Sequence, residues 1–457
     1  MRYTFFIFLV YIFSGIQAGF SQERTVVGSA IANDTANTGG MSRFTLRQCI
    51  AYAVRYQPAL RQAGVDERIA KANKAIAVSS WLPQVNASAN YQHYLQLPTT
   101  FFPVNGTLTP IQTGVINTSS PQVAVTQSIF SNETLLANRT ASLYIQASKE
   151  NTNAALINLV VAVSKAFYDV LLSAERAGVY REDTARLRKN QSDAYHRFVS
   201  GIADKVDYKQ ATIALNNSMS QLKTATEDVA AKTATLKLLM GSPQEHNFTV
   251  SYGTAQMMRD IVADTLGPLR VERRVEYRQL QLVRRIQRQS TRYYKLGFLP
   301  TLSAFYTYNY PFLNNNYADL YSKGYPNSFY GLSFNIPIFT GFRRTANVRK
   351  AELQEERMDW DEVNLELTIY AEYKKALAAY KSNYYYLATQ AENAALAREV
   401  YNVVKLQYAE GVKAYLDVII AEADLQTSEI NYQNSLFQTL QSKTDLDKAI
   451  GNVDIDE

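Results

Sequence analysis

Four segments of the chain alternate apolar and polar residues with the period of a β-strand. They are Leu82 to Leu97, Gln122 to Phe130, Thr301 to Tyr310 and Tyr330 to Ile338. Each would have one apolar and one polar face, and each is long enough for a tilted strand that crosses a membrane, about 9 to 11 residues. A half-buried sheet of a soluble protein has the same pattern, so these segments alone leave both interpretations open.

Most of the remaining chain has the pattern of long helices. No proline occurs between Phe130 and Val199 or between Thr340 and Ala409, and at 1.5 Å per residue each helix would reach ~100 Å. Apolar residues recur at alternating steps of three and four, which is typical of a coiled coil. In the first helix these are Leu156, Val160, Val163, Phe167, Val170, Ala174 and Ala177. A soluble antiparallel coiled coil without a pore also fits this spacing.

The chain contains two copies of one unit. Trp81-Leu82-Pro83 returns as Phe298-Leu299-Pro300, and the turn glycine Gly201 returns as Gly411, 210 residues later (411 minus 201). We predict repeat 1 at 44–241 and repeat 2 at 270–451, each with a helix, two strands and a long helical hairpin. A connector at 242–269 joins the repeats, and a tail follows at 452–457. Two such units would bury their apolar faces against each other.

The start of the chain predicts export. Arg2 precedes an apolar stretch and then small residues, which is the layout of a secretory signal peptide, here 1–21. We expect a flexible segment at 22–43. No later run approaches the ~20 apolar residues of a spanning helix. The single cysteine, Cys49, lies within a helical pattern, so we expect a buried, unreactive thiol.

Composition argues against an enzyme. The chain has three histidines at unhelpful spacings and one cysteine, so metal sites and nucleophilic triads lack their parts. Common catalytic and nucleotide-binding motifs are absent from the sequence. The net charge of +6 is spread along the chain. We therefore predict no catalytic residues, no cofactor, no metal and no nucleic-acid partner.

Four strands are too few to close a barrel, for which about eight is the practical minimum. If the strands face lipid, several chains must share one barrel. The two strand pairs are joined by segments from about Pro98 to Ser120 and from Pro311 to Phe329, rich in Pro, Asn, Gly and Thr, which we interpret as exposed loops. Lipid-patterned hairpins combined with very long helices suggest a conduit that crosses the outer membrane and continues through the periplasm.

These residues resemble the TolC-type outer-membrane channels of tripartite efflux pumps and type I secretion systems. The resemblance covers nearly the whole mature chain and rests on the order, spacing and duplication of short motifs. Beyond those above, the motifs are Phe44-Thr45-Leu46, Tyr56-Gln57-Pro58-Ala59-Leu60, Arg274-Val275-Glu276-Tyr277 and Ile336-Pro337-Ile338-Phe339. The family usually has asparagine where Gln57 stands.

The resemblance implies a mainly α fold with a small β part. Three chains would form a homotrimer in which each gives four strands to one twelve-stranded transmembrane β-barrel, above a hollow α-barrel in the periplasm. It implies contact with outer-membrane lipid, docking to a periplasmic adaptor (membrane fusion) protein and to an inner-membrane transporter of the RND or ABC type, and export of small molecules or polypeptides. The alternative is a secreted, pore-free coiled-coil scaffold or adhesin.

The resemblance also implies site residues near the second glycine turn. Asp417, six residues after Gly411, matches an aspartate ring that narrows the periplasmic mouth. Tyr408, Lys413 and Asp207 match a latch that holds the mouth shut. The latch has arginine where this chain has Lys413, which cannot form the same two-pronged bond, and Ile420 stands where a second ring aspartate can follow.

Alternative roles remain open for these residues. Asp207 and Asp417 also lie near the starts of helices, where a negative side chain offsets the helix dipole. Gly201, Ile202, Gly411 and Val412 match the tips to which the adaptor docks, although glycine is also favoured wherever a helical reversal needs positive φ.

Six arginines have no family explanation. They step by 4, 4, 7, 3 and 4 residues, which predicts one helical face: Arg270, Arg274, Arg278, Arg285, Arg288 and Arg292. Such a face could line the lumen, meet an acidic partner or simply be solvated.

Overall fold

The computed structural model describes residues 42–104, 106–262 and 269–453. The predicted signal peptide and nearly all of the predicted flexible segment lie outside the described residues. The end of that segment is not flexible, because Ser42–Phe44 forms strand β1, which pairs in parallel with β6 (Phe248–Val250). The Phe44 and Phe248 rings lie 5.1 Å apart between centroids, and this contact orders the segment.

Eight α-helices account for most of the described chain. In chain order they are α1 (Leu46–Tyr56), α2 (Pro58–Ser79), α3 (Asn132–Val199), α4 (Lys205–Met240), α5 (Thr254–Asp260), α6 (Val275–Leu296), α7 (Arg343–Ala409) and α8 (Tyr415–Ile450). Helices α3 and α7 have 68 and 67 residues, so the prediction of two helices of ~100 Å is confirmed. Each reverses into a return helix, α4 or α8, of 36 residues.

The four predicted strands form one antiparallel sheet. They are β2 (Gln84–His93), β5 (Asn117–Phe130), β7 (Thr301–Asn309) and β9 (Asn327–Asn335), in the order β2-β5-β7-β9. The last strand stops short of its predicted end because Asn335 pairs with Thr301, the first residue of β7, and no residue of β7 lies opposite the positions that follow. The register places Val85, Val125, Tyr306 and Tyr330 in one row. The apolar positions of all four strands therefore share one face.

The segments that we interpreted as loops contain further strands. Strands β3 (Thr99–Val104) and β4 (Thr107–Gln112) form a hairpin, and β8 (Phe312–Asn314) pairs with β5. The loop prediction was wrong here because threonine and aromatic residues favour strands, and Gly106, at φ 81°, supplies the turn. Phe101 and Leu108 on the hairpin are exposed, as expected of an outer segment.

The long helices lie side by side in a single layer. Near the sheet, neighbouring helices pack in the order α2, α3, α6, α7, and toward the other end in the order α4, α3, α8, α7. One chain therefore contributes four adjacent helices at each level, as it contributes four adjacent strands to the sheet.

The main apolar core lies midway along this layer, where α1, α5 and β6 pack against α3. It contains Cys49 and Phe167, both fully buried. The prediction that Cys49 is buried is confirmed, and burial raises the pKa of its thiol to about 12. The predicted coiled-coil stripe faces the same core through Val163 and Val170.

The expectation that no later run of the chain is apolar enough to span a membrane has one exception among the described residues. By length and composition, α3 includes a stretch apolar enough to cross a membrane, but 56% of that stretch is buried inside the protein. Its apolar residues serve the core, because Val163, Phe167 and Val170 pack there.

The six arginines do not share one face. Arg270 precedes α6, and Arg274 is 5% exposed and donates to Glu276 (2.9 Å), to Glu372 (2.8 Å) and to the Ala449 carbonyl (3.0 Å). A buried charge requires such partners, so the interpretation as a solvated face was wrong for Arg274.

Gly241, which follows α4, should not tolerate a side chain. Its φ is 67°, and a Cβ atom there would lie 2.8 Å from the Tyr56 carbonyl oxygen. We expect Gly241→Ala to destabilise the protein by about 2 kcal/mol, measured by thermal unfolding followed through helical circular dichroism.

Gly178→Ala in α3 is the matched control. A Cβ atom there meets nothing within 4 Å, and alanine is the better helix former by about 1 kcal/mol. Equal melting temperatures for the two variants would contradict the steric argument.

Candidate functional site

Both long hairpins reverse through a glycine in the left-handed conformation, Gly201 at φ 73° and Gly411 at φ 76°. The Ile202 N–H donates to the Arg197 carbonyl (2.9 Å), and the Val412 N–H donates to the Gln407 carbonyl (2.8 Å). This matched pattern closes the ends of α3 and α7 in the same way. The glycines are therefore required by backbone geometry, whatever else these turns do.

The side chains that follow the two glycines are apolar and face outward. Ile202 is 74% exposed and Val412 is 72% exposed, with Val199 at 64% close by. An apolar side chain at an exposed turn gains nothing from burial within its own chain.

The two aspartates named from the sequence lie in the first turns of the return helices. Asp207 is in the first turn of α4 and Asp417 in that of α8. The Asp417 Oδ2 atom accepts from the Ala414 N–H at 3.2 Å. This geometry supports the helix-stabilising role that we had left as an alternative. The Asp417 side chain nevertheless remains 41% exposed.

The three predicted latch residues are not bonded to one another within the described residues of one chain. The Lys413 Nζ atom lies 4.0 Å from Asp417 Oδ2. The Tyr408 ring lies 4.8 Å from the Arg197 guanidinium and 5.4 Å from the Tyr415 ring. Burial raises the pKa of Tyr408, the Arg197 charge opposes this, and the nearby Asp207 charge adds to it. The Tyr408 ring therefore packs against Arg197 and Tyr415.

Arg197 is a residue that the sequence reasoning missed. Its Nη2 atom donates to the Ala409 carbonyl at 3.2 Å, which ties the end of α3 to the end of α7. The sequence signal that could have found it is a basic residue in the last turn of a helix, where a cation offsets the dipole.

A second missed feature is a buried polar cluster farther up the hairpins. Asp183 on α3 and Glu422 on α8 are 1% and 3% exposed, and Arg186 donates to both at 3.3 Å. Further donors complete it: Ser218 Oγ and Gln426 Nε2 to Asp183 Oδ2 (2.6 Å each) and Asn190 Nδ2 to Glu422 Oε2 (3.0 Å). The cluster joins α3, α4 and α8.

Burial raises the pKa of Glu422 to about 7 from an ordinary value of 4.5, with the Asp183 charge adding to the shift and Arg186 opposing it. This carboxyl therefore changes charge near neutral pH. The packing of α3 against α8 carries a proton-sensitive group that no sequence motif marked.

Long helical hairpins in a single layer are joined to a sheet whose outer strands, β2 and β9, each have one edge unpaired within the described residues. The family model for the outer membrane efflux protein matches residues 52–242 and 272–452. The chain belongs to this family. Its members are outer-membrane channels, so the predictions of family, fold class, location and a non-enzymatic role are confirmed.

Two curated relatives are outer membrane proteins of efflux pumps. The solvent efflux pump protein SrpC and the toluene efflux pump protein TtgI, both of Pseudomonas putida, are each 23% identical over 259 residues, or 55% of this chain. The match spans about half the length of these relatives, 53%.

Solved structures agree over a larger part of the chain. CusC has a TM-score of 0.74 at 16% identity and covers 92% of this chain and 96% of its own. The CmeC outer membrane channel of Campylobacter jejuni has a TM-score of 0.72 at 17% identity, with coverage of 90% and 87%. VceC of Vibrio cholerae has a TM-score of 0.70 at 14% identity, and the match covers 89% of this chain and 96% of VceC.

Stability should depend on pH through Glu422. A carboxyl whose pKa is higher in the folded than in the unfolded state favours folding when protonated, so its contribution is lost as pH rises from about 4.5 to about 7. The loss is at most about 3 kcal/mol per chain. Glu422→Gln removes this titration, so its melting temperature relative to wild type should rise between pH 5 and pH 8.

The control for this measurement is Asp424→Asn, an exposed position on the same helix. It should follow the wild-type pH profile. An unchanged difference between Glu422→Gln and wild type at both pH values would refute the proposed titration.

Proposed function

We propose that three copies of this chain form one channel through the outer membrane and the periplasm. The observation that carries this proposal is the sheet with two open edges. Strands β2 and β9 end the ladder, and they run in opposite directions. The β2 strand of one copy can therefore pair antiparallel with β9 of the next. Three copies bring twelve strands and twelve helices per level, enough to close both rings.

We infer that the two helical turns at Gly201 and Gly411 dock a periplasmic adaptor. Ile202 and Val412 present exposed apolar side chains at the ends of two hairpins, and a helical hairpin of a partner can cover such residues. An inner-membrane transporter of the RND or ABC type would then supply the cargo. The curated relatives are outer membrane proteins of efflux pumps, which supports this assignment.

We propose that Asp417 rings the periplasmic mouth and that the latch residues Tyr408, Lys413 and Asp207 hold the mouth closed. Three exposed carboxylates at a constriction would favour cations and repel anions. Tyr408 and Asp207 would complete the latch when neighbouring chains meet. The Arg197 guanidinium, which lies over the Tyr408 ring, would hold that ring in place. Lys413 would partly neutralise Asp417, since their charged atoms lie 4.0 Å apart.

The proposed activity is the export of small molecules or polypeptides. A secreted scaffold or adhesin without a pore is the competing function. A scaffold gives no account of a sheet whose apolar positions share one face and whose two edges are unpaired within the described part of the chain, because a soluble protein covers or blunts such edges.

Assembly can be tested in mild detergent and in planar bilayers. We expect purified protein from the outer-membrane fraction to have the mass of a trimer and to give discrete conductance steps in a bilayer, because closure of the barrel needs strands from three chains. Protein that is released without detergent, is monomeric and is electrically silent would support the scaffold instead.

Asp417→Asn should weaken cation selectivity. The substitution removes the charge while the amide oxygen can still accept from the Ala414 N–H. The measurement is the reversal potential across a bilayer in a salt gradient. Asp204→Asn is the matched control, because it changes a charge at the other turn and preserves a good helix cap. Equal selectivity of Asp417→Asn and wild type would rule out the ring.

A further inference from the structure

Three arginines of α6 are not used by the packing described above. Arg285, Arg288 and Arg292 are exposed and form no ion pair within the described residues. The other basic side chains of this helix have partners: Arg278 with Glu150, Arg284 with Asp359 and Glu362, and Lys295 with Glu352. Arg274, which precedes the helix, pairs with Glu276 and Glu372. The three free arginines follow each other by three and four positions, so they share one side of the helix.

The neighbours of α6 identify the two sides of this helix that remain open. Toward α3, Arg278 contacts Glu150 and Gln279 contacts Asn151. Toward α7, Tyr277 and Arg284 contact Glu362, and Thr291 contacts Ala351. These contacts leave one open side with the three arginines and an opposite open side with Val283, Ser290 and Tyr294.

Around the axis of α6, the residues that contact α3 and those that contact α7 are separated by two arcs, one on each open side. These two arcs differ in width. At about 100° per residue, the arc from the residues that contact α3 to those that contact α7 is about 170° on the arginine side and about 190° on the Val283 side. In a closed ring, each helix has its two neighbours at less than half a turn on the inner side. In a ring closed from three copies of the chain, the arginine side of α6 would therefore face the interior.

We propose that Arg285, Arg288 and Arg292 line the lumen of the upper α-barrel and form a zone that binds anionic groups of passing cargo. This inference rests on the proposed trimer, which would place nine such side chains around one aqueous tunnel. Arg139 of α3 lines the same crevice as Arg292 and extends the basic surface. Asp359 and Glu352 at this level are neutralised by Arg284 and Lys295.

The width of the tunnel determines how these charges act. Twelve helices spaced about 10 Å apart enclose a lumen about 27 Å wide after the thickness of the wall is subtracted. The Debye length is about 8 Å at physiological ionic strength and about 30 Å at 0.01 M. The zone therefore acts near the wall in the cell and reaches the axis only at low salt.

Because the charges act only near the wall at physiological ionic strength, such a zone selects cargo that touches the wall. Guanidinium groups form paired hydrogen bonds with carboxylates and phosphates, so the ligand class is anionic: carboxylates, phosphates or sulfonates. The charge of the arginine zone is opposite in sign to that of the proposed Asp417 ring. Cations would be favoured at the mouth, and anions would be retained higher in the tunnel.

The first test is ion selectivity in planar bilayers. Replacing all three residues, by Arg285→Gln, Arg288→Gln and Arg292→Gln, should lower the ratio of anion to cation permeability about threefold near 0.01 M salt. The effect should vanish at 1 M salt, where the Debye length is about 3 Å. Circular dichroism and detergent-stable trimers establish that the variant is folded.

The second test asks which side of the wall the residues occupy. A negatively charged thiol reagent applied during recording should alter the current through Arg288→Cys, whereas Val283→Cys on the opposite side should react without a change in current. Wild type is a valid background because Cys49 is buried with its pKa raised to about 12.

Failure of this inference differs from failure of the proposed function. A wild-type protein that does not conduct would overturn the channel and the zone together. A conducting protein whose triple variant keeps its low-salt selectivity, or whose Arg288→Cys is labelled without a change in current, would put the arginines on the outer surface. The channel would then stand and the anion zone would not.

Discussion

Backbone hydrogen bonding at the two open edges of the sheet is the constraint on which the rest of the structure depends. In lipid, no water can satisfy the N–H and C=O groups of β2 and β9, so a spanning sheet must close on itself. Four strands cannot do so alone. In the proposed trimer, the edges that are unpaired in one chain become the seams between chains, and the same closure arranges the helices below into a ring.

The helical part meets this demand by packing in a single layer. A compact bundle would bury the long helices on several sides, whereas a ring leaves each with two packed and two open sides. Apolar stripes stabilise the packed sides, and polar contacts bind one hairpin to another. Arg186 bridges two buried carboxylates, and Arg197 ties the ends of α3 and α7. Separating the partners of such a buried contact is strongly destabilising, because it leaves a buried charge unpaired. These polar contacts therefore define the relative positions of the hairpins.

Whether a sequence prediction was confirmed depended on the physical signal on which it rested. The strands and long helices were predicted well because period-two and heptad patterns arise from burial on one face. The β3 and β4 hairpin was missed because Pro103, Asn105, Gly106 and Pro110 interrupt the threonine and aromatic residues that pair. Arg274 was misplaced on a solvated face because helical spacing does not reveal a partner 98 positions away, Glu372. Glu422 carried no motif and Arg197 only the general signal of a basic residue at a helix end, since their environments are assembled from separate helices.

The sequence by itself determined the duplicated unit, the class of each main element, the two glycine reversals and the family resemblance. All of these depend on local spacing or on residues that only one backbone conformation favours. The tertiary structure alone decided which charges are buried, which aspartate caps a helix and which arginines remain open. Burial and charge depend on residues far apart in the chain, and a linear pattern does not contain their distances.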